Sequence, residues 1–100
     1  ALFSANEDEL ALLQLRSQID AFDRQIFKII SERFQIVEAV ARYKEKFGIP
    51  TIQQDRMLKL RKELKSDFST SVDITDDMID GIMTILMQAA IDKENRQLNR

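Results

Sequence analysis

From Asn6 to Phe47 the chain runs without a proline or a glycine, and a stretch like that leaves few folds open. Read as one helix, at roughly 1.5 Å per residue, it is about 60 Å long. A compact domain of 100 residues has a radius of gyration of only about 13 Å. The helix therefore overhangs any single protomer this chain can build. Either it breaks where the sequence carries no mark, or a second chain covers it.

The rest of the chain is almost as free of punctuation. Two glycines and one proline in 100 residues are too few for strand-turn-strand architecture, so the fold is read as all-α. One hundred residues make one domain, 1–100. A net charge of −2 with no basic cluster argues against nucleic acid or an anionic membrane surface as partner. No run approaches the ~18 apolar residues of a membrane span. Ala1-Leu2-Phe3-Ser4 does not read as a signal peptide, so a cytoplasmic location is expected. The chain has neither cysteine nor histidine. Disulfides and thiolate nucleophiles are excluded, and transition metals and imidazole acid–base chemistry are not expected. Catalysis, if present, works with Arg, Lys, Asp, Glu, Gln and hydroxyls, and no cofactor is expected.

In chain order, Asn6 and Glu9 fit a capping box that starts the long helix, 7–47. Its apolar positions step by four and three: Leu12, Leu15, Ile19, Phe22, Ile26, Ile29, then Ile36, Val40, Tyr43 and Phe47. That is a heptad-like seam. Arg33 interrupts it, and Ile30, Val37 and Ala41 widen the face. Gly48 and Pro50 end the helix. Thr51 with Gln54 can cap a short second helix, 52–65, whose apolar face is Met57, Leu60 and Leu64. A polar loop with one apolar anchor, Phe68, follows. Asp73 or Thr75 caps a medium third helix, 75–96, rich in Ile and Met.

Several charges fall on faces that should be apolar. At about 100° of rotation per residue, Arg33 and Lys44 point within ~20° of each other, ~16 Å apart along the axis. Two long cations at that spacing can grip a small dianion. Alternatively Arg33 pairs with Glu32, Glu38 or a neighbouring helix, and Lys44 snorkels. Arg16 is rotated by ~100° from Arg33 and displaced by ~25 Å. It reaches such a pocket only from a second, antiparallel chain; otherwise it pairs with Asp20 or Asp23 on its own helix. Arg56 sits in the first turns of helix two, where the dipole disfavours a cation unless a ligand or Asp55 compensates.

Taken together, Leu15-Arg16-Ser17-Gln18-Ile19-Asp20-Ala21-Phe22-Asp23, Glu32-Arg33, Lys44, Phe47-Gly48-Ile49-Pro50 and Asp55-Arg56 resemble the all-helical class of chorismate mutases. The likeness spans about Leu10 to Asn95. It implies a protomer of one very long, one short and one medium helix, intertwined with its copy in a homodimer with two active sites. It implies the Claisen rearrangement of chorismate to prephenate, in the biosynthesis of Phe and Tyr, without metal or cofactor. By position, Arg16 resembles the arginine that crosses into the partner's site, and Arg33 the one that binds the other substrate carboxylate. Lys44 resembles the lysine that donates to the ether oxygen, and Arg56 a further arginine at the carboxylate end. The chemistry agrees. A pericyclic reaction needs no nucleophile or base, only a dianion held in a compact conformer and cations where negative charge builds.

The sequence also departs from that family. A glutamate that usually follows the helix-two arginine is Met57, and an aspartate three positions before it is Gln53. A serine on helix three becomes Ala90, and the second ether-oxygen donor becomes Glu94. A register shift of one residue would make these Ala89 and Lys93; Glu94 is preferred because Glu is a family variant there. A glutamate donates a proton only when protonated. Met57 leaves other substrates open. Isochorismate-pyruvate lyases and 4-amino-4-deoxychorismate mutases are alternatives on the same fold. A helical dimerisation module without chemistry is a further alternative, disfavoured by cations on the face of the seam. Fusion to another enzyme and feedback control by an amino acid are left open.

Overall fold

A computed structural model describes residues 7–50 and 54–98. The chain is all-α, with helices α1 (Glu7–Phe47), α2 (Gln54–Asp67) and α3 (Asp76–Leu98). The expected caps Asn6 and Thr51, with Ile52 and Gln53, lie outside the described residues. By its contacts the chain divides into two units, Ala1–Gln35 and Ile36–Arg100, and the division falls within α1. No helix among the described residues is long and apolar enough to cross a membrane.

α1 runs unbroken for 41 residues. Glu7, Asp8 and Glu9 occupy its first turn and Lys44 and Lys46 its last, each sign placed where the helix dipole favours it. Its end is a Schellman turn. The amide of Ile49 donates to the carbonyl of Lys44 at 2.9 Å, and Gly48 donates to Glu45 at 3.5 Å. Gly48 takes φ +66°, which costs glycine nothing and other residues about 1 kcal/mol.

In the first unit the helix is bare. Leu12, Leu15, Ile19, Phe22, Ile26 and Ile29 are exposed, with Phe22 at 62% and Phe27 at 71%. The seam stays exposed where α1 continues in the second unit, at Ile36, Val40, Tyr43 and Phe47. Monomeric proteins rarely expose so much contiguous apolar surface.

The second unit holds the core. Ile79, Met83 and Met87 of α3 are buried, and Met57, Leu60 and Leu64 of α2 pack on them with Ile74 and Leu86. The anticipated face of the short helix is the one that packs. Thr75, not Asp73, caps α3: its Oγ1 accepts from the amide of Met78 at 3.1 Å. Because Thr75 is the cap, the helix proper begins one residue later, at Asp76. At the other end α2 extends to Asp67, two residues beyond expectation, because the amide of Phe68 still reaches Leu64 at 3.0 Å. The ring of Phe68 is 41% exposed. Its backbone rather than its ring ties the loop, by accepting from Ser71 at 3.0 Å.

A polar clamp joins α2 to α3 beside this core. Arg61 Nη1 and Lys65 Nζ each donate to the Asp80 carboxylate at 2.9 Å, and Arg61 Nη2 donates to Thr84 Oγ1 at 3.0 Å. The hydrogen bond from Lys65, then that from Arg61, holds the Asp80 carboxyl below its ordinary 3.8. A carboxyl whose value is lowered on folding stabilises the fold above its unfolded value, and that contribution is lost as pH falls through the folded value. Asp80→Asn is therefore expected to lower Tm at pH 7. The difference from wild type should shrink as pH falls below 3.8. A gap that persists undiminished in acid would assign the loss to packing instead.

Candidate active site

The C-terminal end of α1 brings Lys44 to the C-terminal part of α3. Lys44 Nζ lies 3.4 Å from both carboxylate oxygens of Glu94. Both side chains are largely withdrawn from water, 15% and 8% exposed. One turn of sequence explains each placement. The Schellman turn fixes the backbone at Lys44. Glu94 follows Ile79, Met83 and Met87 on the buried side of α3, and is the buried charged residue among those described. Nearby, Glu38 of α1 accepts from Arg42 at 2.7 Å and lies 4.0 Å from Lys93 of α3.

The two residues offered for the second donor differ in their surroundings. Glu94 faces Lys44 from a buried position, whereas Lys93 lies 4.0 Å from Glu38. Ala90 is half-buried on the same helix, one turn before Glu94.

The Lys44–Glu94 contact is a poor structural bridge. Charge-assisted N–H···O bonds run to about 2.7–2.9 Å, and this one is longer to both oxygens. Taking two charges out of water costs several kcal/mol per ion, and only good geometry recovers it. A well-packed apolar pair would stabilise the helices as well or better.

The other candidates stand as follows. Arg56 is exposed on α2 and ion-pairs with no described residue, Asp55 included. Met57 is half-buried and packs on the core cluster; it offers a thioether where a carboxylate would offer hydrogen bonds. Gln53 lies outside the described residues. Arg33 and Arg16 belong to the first unit. Arg33 is half-buried, and Arg16 is exposed. Arg16 forms no ion pair with Asp20, Asp23 or any other described residue, so the pairing within its own helix does not occur. Residue spacing gave no sign of Arg61, Lys65 and Asp80 as a cluster. Asp80 lies 19 and 15 residues from Arg61 and Lys65, on a different helix, beyond the reach of any helical periodicity.

Comparison with known proteins bears on the same segments. The chorismate mutase of Methanocaldococcus jannaschii is 29% identical over 92 residues, 85% of this chain and 93% of that protein. The T-protein of Haemophilus influenzae is 26% identical over 86 residues, and that of Enterobacter agglomerans 23% over 84. The match covers 86% and 84% of this chain but only 22% of either T-protein's length. No solved structure matches the chain significantly. Residues 15–95 match the chorismate mutase type II family, a span that includes Arg16, Arg33, Lys44, Arg56 and Glu94, and the chain belongs to that family.

Proposed function

We propose that the chain is a chorismate mutase, converting chorismate to prephenate in the biosynthesis of phenylalanine and tyrosine. The observation that carries this reading is the withdrawn Lys44–Glu94 pair, a cation and a carboxyl in a family that rearranges a dianion. In the rearrangement the ether C–O bond breaks as a new C–C bond forms, and no proton is gained or lost. The protein's task is to hold the substrate compact and to meet the negative charge that builds on the ether oxygen. Lys44 meets that charge with its ammonium. Glu94, when protonated, donates a second hydrogen bond to the same oxygen. Arg33 and Arg56 take substrate carboxylates, and Ala90 and Met57 give shape without hydrogen bonds; Gln53, three residues before Arg56 in sequence, completes the set.

The site is shared, in this reading, between two copies of the chain. The exposed seam of α1 is covered by the α1 of an intertwined partner. Burying a side chain of the size of Phe22 or Ile26 contributes about 1.5–3 kcal/mol. Arg16, exposed and without an ion pair to any described residue, enters the partner's pocket.

Met57 gives the second reading its footing. A thioether cannot accept strongly from a ring hydroxyl or amine, so isochorismate and 4-amino-4-deoxychorismate are tested beside chorismate. Purified chain is incubated with each and the products separated. Prephenate from chorismate is the expected result. Salicylate with pyruvate from isochorismate, and nothing from chorismate, would make the chain a lyase. No acceleration of any of the three would leave a dimerisation module.

A further inference from the structure

Beside the Lys44–Glu94 pair the same arrangement of charges occurs on both helices. On α1, Glu38 and Lys44 flank Ala41, which is buried, each turned about 60° from it and to opposite sides. On α3, Lys93 and Glu94 flank the half-buried Ala90, turned about 60° and 40° from it, again to opposite sides. The signs are crossed, so that Lys44 meets Glu94 and Glu38 meets Lys93. The Glu38 carboxylate is also held in orientation. Its Oε1 accepts from Arg42 at 2.7 Å, and its Oε2 is the oxygen 4.0 Å from Lys93 Nζ.

As a source of stability the Glu38–Lys93 pair is weak. Its side chains are 35% and 28% exposed, and 4.0 Å is long for an ion pair. As a constraint on rotation it has more to act on. The core cluster of α3 ends at Met87, seven residues before Glu94. Glu94 itself lies four residues before the helix end at Leu98, and helix ends fray. Core packing therefore constrains this part of α3 least, where the proposed reaction needs it most exact. A turn of about 100° would put Lys93 where Glu94 stands, ammonium against ammonium. By holding Lys93 to the side, Glu38 opposes that turn.

We propose that Glu38 is a positioning residue: through Lys93 it sets the rotation of the C-terminal part of α3 and so keeps the Glu94 carboxyl facing Lys44. Its effect on catalysis rests on the mutase reading, in which Glu94 donates to the ether oxygen. Glu38→Gln removes the charge and keeps the size. Its kcat on chorismate should fall about five- to tenfold, the scale of coupling within one charge network, with KM changed by no more than about twofold. Lys93→Met should do the same, and the double variant should be no worse than either. In a Glu94→Ala background Glu38→Gln should have no further effect, because the residue it acts through is gone. Amide hydrogen exchange supplies a readout that needs no substrate. Glu38→Gln should speed exchange about fivefold at residues 90–96 and leave residues 79–87 as in wild type. Wild-type chain that leaves chorismate unchanged defeats the mutase reading, and exchange alone then decides the positioning role. In an active chain, unchanged kcat in Glu38→Gln, a loss confined to KM, or an equal loss in the Glu94→Ala background overturns the proposal. Unchanged exchange at residues 90–96, or an acceleration that extends equally through 79–87, also overturns it.

Discussion

Lys44→Ala is expected to lower kcat for the rearrangement by about 10²–10³-fold, the range seen when one donor to a developing oxyanion is removed. The ether oxygen carries little charge in bound substrate and more at the transition state. A group that answers only the added charge acts on kcat rather than KM. A variant that loses only KM would make Lys44 a carboxylate holder. Near-normal turnover would remove it from the site. The substitution also strands Glu94, which is 6% exposed, without its cation, and an unpaired buried charge destabilises. The double variant Lys44→Ala with Glu94→Gln keeps a neutral polar group there and supplies the folded control, read by circular dichroism. Glu94→Gln alone provides the contrast. An amide keeps a hydrogen-bond donor at that place, so this variant should retain turnover; a loss as large as that of Lys44→Ala would require the carboxyl itself.

The second large effect is a rescue. Arg16→Ala and Lys44→Ala protomers, each inactive alone, should recover activity when mixed and allowed to exchange. In a two-fold symmetric dimer both sites use the same residues from opposite chains. A mixed dimer then has one site with Lys44 and the partner's Arg16 both intact, and one site with neither. Random exchange of equal amounts gives half mixed dimers, so about one quarter of wild-type activity returns. Activity that never rises above either parent would place Arg16 and Lys44 in one chain's site or outside the site altogether. The exposure of Arg16 and its lack of an ion pair are what make the rescue worth attempting.

The helices were legible in the sequence because their signals are local. The proline- and glycine-free run announced α1, Gly48 its end, and the Met57–Leu60–Leu64 spacing the packing face of α2. The Asp73-or-Thr75 ambiguity is also local, yet only the hydrogen bond from the Met78 amide to Thr75 Oγ1 separates the two. The site was less legible. Lys44 and Glu94 are 50 residues apart, and no periodicity joins them. Glu94 enters only through the resemblance; its burial beside Lys44 is a finding of the structure. The Asp80 clamp escaped altogether, because Arg61 and Lys65 look like ordinary solvated charges until α3 is laid against α2. Met57 was read as a lost hydrogen bond to substrate; its packing on Met87 and its neighbours gives it a structural employment as well.

The core described for the second unit is small: three side chains of α3 are buried in it. Ordering each residue costs about 1–2 kcal/mol of backbone entropy, far beyond what so few buried groups return. In the dimer proposed above, acquisition of the native state and encounter with another chain become a single event. Refolding from urea should then be second order, accelerating with protein concentration, and Tm should climb with it. A newly made chain is in jeopardy for as long as it waits alone. If the proposed dimer is the working form, the chain's exposed phenylalanines and isoleucines are open to other apolar surfaces until a partner arrives, and the rate of synthesis then governs yield as well as the strength of the finished contacts.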